Sequence, residues 1–187
     1  MQMKKILLTL FVAVCSLSTS AQLWLGGEFG LYGSKIKDAD EGNYTFTLSP
    51  EVGYDINDSW AIAAAINFSH NNDSYDLNHN SFGINPYARF SFAKVGQVKF
   101  FIDGGLEFGL TSDEVSTSAN VGKSKSDHFY IDFRPGLYYG FCEKAGLVAH
   151  LGDLYFHHNW NPDSDYKLNS FGLRIWNSAS FGVYFNL

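Results

Sequence analysis

Along almost the whole of residues 22–187, bulky apolar side chains alternate with small or polar ones at a period of two. Successive side chains point to opposite faces in an extended strand, so this pattern predicts β-structure throughout and argues against helices. From Tyr44, one face carries Tyr44, Phe46, Leu48, Pro50, Val52 and Tyr54, while the other carries Thr45, Thr47, Ser49, Glu51 and Gly53. The same alternation runs through 60–69, 81–92, 98–110, 128–139 and 171–187, with weaker versions at 22–33 and 145–155. Eight strands are expected, the last unbroken unless Asn177-Ser178 marks a bulge or turn.

The connections alternate in length. DINDS, AKVGQ and GFCEKA are tight, whereas 34–43, 70–80, 112–127 and 153–168 are longer, polar and read as loops. Pro50, Pro86 and Pro135 each precede an aromatic residue by four positions, just before a tight turn, so the repeating unit is a hairpin. Proline removes a ladder hydrogen bond, and the turn-proximal end of a strand is where a ladder is most easily interrupted or bulged.

Side-chain size assigns the faces. The polar face is crowded with Gly53, Ala61, Ala63, Ala65, Gly83, Gly105 and Gly136. Small residues suit a cramped interior, whereas a solvated sheet surface would carry long polar side chains. The opposite face of Phe, Leu, Ile, Val and Tyr is too bulky to fill the inside of an eight-stranded barrel, so it points outward, toward lipid. The small-residue face also carries Glu28, Glu51, Asp103, Glu107 and Asp132 against Arg89, Lys99, Arg134 and Arg174. Buried charges persist when paired, so these nine residues are expected to form an ion network inside the barrel. Tyr54, Trp60, Phe92 and Tyr139 beside the short turns, and Tyr44, Phe68 and Phe129 beside the long loops, fit two interfacial belts. Trp24, Tyr130 and Trp176 carry the inward parity and do not fit them.

The first 21 residues, MQMKKILLTLFVAVCSLSTSA, have a basic start, a short apolar run and small residues at Thr19 and Ala21, the anatomy of a cleaved secretory signal peptide. Residues 22–187 then form one domain. Loss of Lys4 and Lys5 takes the formal charge from −6 to about −8 and leaves Cys142 without a disulfide partner. An acidic chain argues against a nucleic-acid partner.

These features resemble the small eight-stranded outer-membrane β-barrel family, similar in plan to OmpX and the barrel of OmpA. The resemblance rests on the signal segment, the strand count, the Pro-x-x-x-aromatic hairpins and the C-terminal FGVYFNL, and it covers nearly all of 22–187. It implies an all-β, eight-stranded antiparallel up-and-down transmembrane barrel in the outer membrane of a Gram-negative bacterium. Short turns would face the periplasm and long loops the exterior, in a monomer surrounded by outer-membrane lipid. Relatives end on an aromatic residue read by the barrel-assembly machinery; this chain ends on Leu187, with Phe185 two positions earlier.

For function, the expectation is a non-enzymatic surface protein with a structural, binding or adhesion role, without cofactor, metal or catalytic residues. A lipid-modifying enzyme is the alternative suggested by Ser69-His70 and Ser126-Asp127-His128, and a small-solute pore is another. Adjacent His157 and His158 would point to opposite faces of a strand and so would not chelate a metal together.

Overall fold

The computed structural model describes residues 23–34, 43–72, 77–117, 120–162 and 167–187. The signal segment 1–21 lies outside them, as do the loop charges Lys35, Lys37, Asp38, Asp40, Glu41, Asp73 and Asp76. Eight antiparallel strands close into a barrel in sequence order: β1 (Leu23–Ser34), β2 (Asn43–Asp55), β3 (Trp60–Asn72), β4 (Leu77–Val95), β5 (Val98–Thr117), β6 (Asn120–Cys142), β7 (Ala145–Trp160) and β8 (Lys167–Asn186).

The faces follow the pleat. Ile62, Ile84, Phe108, Phe133 and Leu154 are exposed on the outer wall, while Glu51, Asn85, Arg89, Asp103, Asp132 and His150 are buried inside. This inversion of the soluble-protein pattern suits a wall bathed in hydrocarbon, where a closed barrel leaves no strand edge unsatisfied.

The strands reach farther than the apolar alternation does. Residues 112–127, expected as a loop, are mostly strand: β5 and β6 stay paired up to Thr117–Asn120. Much of 153–168 likewise belongs to β7 and β8. Backbone pairing does not need apolar side chains, so loss of hydrophobic alternation marks where the wall leaves hydrocarbon and not where the strand stops.

One end is closed by short turns. Residues 56–59 turn with Asn57 Oδ1 accepting from the backbone N–H of Ser59 and Trp60, both at 2.9 Å. Gly96-Gln97 turns through a positive φ of 61° at Gly96, and Glu143-Lys144 closes β6 to β7.

Each hairpin proline lies at a break in one ladder. The β2–β3 pairing skips from Leu48–Phe68 to Glu51–Ala65 around Pro50, and the β4–β5 pairing from Ile84–Phe108 to Tyr87–Gly105 around Pro86. Around Pro135 the β6–β7 register shifts between Phe133 and Gly136. In each case pairing continues on the other side, at Gly27, Ala64 and Ile102.

β8 carries an irregularity of its own. Its pairing passes from Ile175 to Ser180 while β7 advances only from Gly152 to His150, so residues 176–179 bulge. β8 is nonetheless one strand from Lys167 to Asn186, as expected, with an irregularity in its pairing to β7 across the stretch that includes Asn177-Ser178.

Candidate functional site

The barrel interior divides into a packed plug toward the turn end and a more open polar chamber toward the loop end. The plug is built on Arg89 of β4 and Asp103 of β5, which face each other across the ladder. Arg89 Nε donates to Asp103 Oδ1 at 2.7 Å, and Nη2 to Oδ2 at 2.8 Å and to Tyr184 Oη at 2.9 Å. The guanidinium lies 3.8 Å above the centre of the Phe101 ring. His150 of β7 continues the chain, with Nε2 at 2.9 Å from Asp103 and Nδ1 at 2.7 Å from Glu28 of β1. Its two ring nitrogens therefore face two carboxylates, an arrangement satisfied when both carry hydrogen.

Aromatic rings fill the remaining space. Trp24 stacks on Tyr184 with centroids 4.4 Å apart, and Trp24 Nε1 donates to Asp55 at 3.2 Å. The small residues on this face give the rings room. A Cβ at Gly53 would stand 2.0 Å from Trp24, one at Gly26 2.2 Å from Tyr184, and one at Gly136 2.5 Å from Phe101. Trp24, whose parity excluded it from the belts, is part of the plug.

Toward the loop end the charges form separate pairs. Arg174 grips Asp153 with two nitrogens, donates to Tyr130 Oη at 3.1 Å and stacks over Tyr155 at 4.3 Å. Glu107 accepts from Asn67 and lies 3.1 Å from His128 Nε2. Arg134 stands 3.4 Å from Asp132 in an ion-pair contact. Arg134 Nε and Asp132 Oδ1 have no hydrogen-bond partner among the described residues.

Of the nine residues expected to share an interior network, Arg89 and Asp103 meet directly, with Glu28 joined to them through His150. Asp132 and Arg134 pair with each other. Glu51 accepts from Tyr87 Oη at 2.5 Å in place of a cation. Glu107 is held by Asn67 and His128, and Arg174 by Asp153. Lys99 stands apart, at the turn-end mouth beside Asp55 and Asp58. Parity selects the inward face but carries no information on height along the barrel.

Sequence reasoning missed His150 and Asp153. Both flank the β7 bulge, where Gly152 has φ +153° and the period-two rhythm breaks, so neither announced its face. His150 is 2% exposed. A histidine within an otherwise apolar stretch, LVAHLGDL, was the available signal.

The groups suggesting an enzyme are dispersed. His128 Nδ1 lies 3.3 Å from Thr111 and its Nε2 faces Glu107, while Asp127 pairs with outward Leu110 in the next strand. His70 lies 2.7 Å from Asn80 and 3.1 Å from Tyr44 Oη. His157 packs against Tyr130 inside, and His158 against Trp160. Cys142 is exposed beside a short turn.

The architecture has counterparts. Neisserial surface protein A is 18% identical over 90% of this chain and 98% of its own, with a TM-score of 0.48. Ail, the attachment invasion locus protein of Yersinia pestis, is 10% identical over 90% of this chain and 100% of its own, with a TM-score of 0.50. A major outer membrane protein from Thermus thermophilus is 9% identical over the same shares, with a TM-score of 0.53. At these identities the last two likenesses concern the fold alone. No curated protein sequence matches the chain. A family profile, however, matches residues 6–175, nearly the whole chain. With its closed eight-stranded wall and inverted faces, the chain belongs to the outer membrane protein beta-barrel domain family.

Proposed function

We propose that this outer-membrane barrel is a non-enzymatic surface protein that displays a binding surface on its extended loop-end strands. The observation that carries this reading is the β5–β6 hairpin. Beyond the rung of outward-facing Leu110 with Asp127, seven further rungs continue to Thr117–Asn120. At the usual rise per strand residue they project about 20 Å past Leu110. Their described side chains include Asp113, Glu114, Lys123 and Lys125, a polar ribbon with no use inside a bilayer.

The interior supports the same reading against a pore, since the Arg89–Asp103–His150 plug and its stacked rings occupy the turn-end half. The enzyme alternative has one arrangement in its favour, the Thr111 hydroxyl 3.3 Å from His128 Nδ1 with the Glu107 carboxylate 3.1 Å from Nε2, but Thr111 and His128 are both buried inside the barrel. On this reading residues 1–21 direct export and are removed, the C-terminal strand engages the barrel-assembly machinery, and the barrel works as a monomer.

The test compares cells displaying the full chain with cells displaying a chain in which 112–126 is replaced by a two-residue turn. Retention on immobilised glycans and proteins should be lost with the shortened hairpin, while heat-modifiable migration on gels stays unchanged. Equal retention of both chains would overturn the reading. So would a steady single-channel conductance, or lipid acylation that depends on His128.

A further inference from the structure

The inward face changes character along the barrel. At the plug, room for the rings is made by Gly53, Ala61, Ala63 and Ala65, which have no polar side-chain atom. Farther toward the loops a row of hydroxyls takes their place. Thr47, Ser69, Ser81, Thr111 and Ser126 stand opposite one another on successive strands from β2 to β6. Glycine or alanine would leave the lumen just as wide, so width alone does not account for the row. Thr111 faces His128, but the hydroxyls of Ser69 and Ser81 have no hydrogen-bond partner among the described residues.

The row borders an interior cavity of about 620 Å³. Thr47, Ser69 and Ser81 line it, and nearer the plug so do Asn67, Tyr130 and the pairs Asp132–Arg134 and Asp153–Arg174. That volume is within the roughly 300–1,000 Å³ of small-molecule sites. The plug closes the chamber toward the turns. At the next inward position beyond the hydroxyls, His79 and Asp113 face each other with side chains 45% and 34% exposed, so water reaches the lumen from the loop end. The chamber is a cup and not a passage.

Its chemistry selects a neutral guest. Each guanidinium is already matched by a carboxylate, Arg134 with Asp132 at 3.4 Å and Arg174 with Asp153. Glu28 and Glu107 are held by His150 and by Asn67 with His128. An anion drawn to either arginine would meet the neighbouring carboxylate, and a cation drawn to that carboxylate would meet the arginine. A hydroxyl group suits both, because one oxygen donates to a carboxylate and accepts from a guanidinium. We propose that the chamber binds a neutral saccharide of one or two rings that enters from the loop end. Its hydroxyls bond to Ser69 and Ser81 on one side and to the Asp153–Arg174 pair on the other. The site lies inside the lumen and stands without the surface-display reading of the hairpin.

The test uses the mature chain refolded in a zwitterionic detergent that carries no sugar. The barrel is dialysed against a pool of neutral mono- and disaccharides, and what stays with it is identified by mass spectrometry. A single sugar per barrel should be retained, with glucosamine and glucuronate held about tenfold more weakly, the equivalent of one hydrogen bond. Ser69→Trp, which puts an indole into the cup and leaves every charge in place, should weaken retention at least as much. Ser81→Trp does the same from the next strand and keeps the test informative if the first variant loses the heat-modifiable band. A barrel that retains no sugar from the pool holds water only, and the site is overturned. Retention indifferent to both variants would overturn it as well, and equal retention of the charged sugars would overturn the neutral guest.

Discussion

Arg89 and Asp103 face each other on adjacent strands in a two-pronged ion pair of 2.7 and 2.8 Å, with Asp103 fully shielded from solvent. Removing one member of such a pair leaves the other charge buried, which costs about 3–5 kcal/mol. Arg89→Ala should therefore lower unfolding stability by that order in urea titrations of the detergent-refolded barrel. The pair Arg89→Met with Asp103→Leu should lose much less than the two single changes together. Arg174 is 41% exposed where it grips the buried Asp153, so water reaches one side of the pair and Arg174→Ala should cost less than Arg89→Ala, about 2 kcal/mol. Equal losses for Arg89→Ala and Arg174→Ala would contradict the division into plug and chamber.

The packing of Trp24 over Gly53 gives a second test. A Cβ at Gly53 would lie 2.0 Å from Trp24 and cannot coexist with the ring where it stands. Gly53→Val should abolish the heat-modifiable folded band. Trp24→Leu should restore it in the double variant, because a smaller side chain vacates the space. A double variant that folds no better than Gly53→Val would place the obstruction elsewhere.

The sequence made the wall legible because lipid and pleat impose one rhythm on it: Phe82, Ile84, Phe90 and Phe92 declare β4 without any tertiary information. The same rhythm failed in three physical situations. Ser112–Ser126 alternates among polar residues once the wall has left hydrocarbon, so paired strand there looks like loop. His150 and Asp153 straddle a bulge, where parity no longer assigns a face. Lys99 has the inward parity yet stands at the mouth, because its height depends on strand tilt and not on alternation. The partners of each interior charge were legible least of all, since pairing across a barrel joins strands far apart in sequence, such as Glu28 with His150.

Topology can be read with the chain's own thiol. Cys142 is exposed beside the Glu143-Lys144 turn, at the end opposite the β5–β6 hairpin tip. A membrane-impermeant maleimide should leave Cys142 unlabelled in intact cells and label it once the outer membrane is permeabilised. Lys125→Cys in a Cys142→Ser background should label in both conditions. The reverse pattern would invert the barrel and remove the hairpin from the cell surface.

The hairpin prolines allow a last prediction. Pro135 lies where the β6–β7 register shifts, so the ladder hydrogen bond that it cannot donate is missing from the fold in any case. Pro135→Ala should then change unfolding stability by less than about 1 kcal/mol. Ile62 points outward on β3 and is paired on both sides, with Tyr54 and with Ala88. Ile62→Pro removes a donor from an intact ladder inside hydrocarbon, where no water can replace it, and should cost about 3 kcal/mol or more. The two variants differ in direction of change but not in face, and Pro135, like Ile62, is exposed on the outer wall. Their comparison therefore isolates the backbone term from lipid contact. Similar losses for both would mean that the break in the ladder is a consequence of Pro135 and not a feature of the barrel that accommodates it.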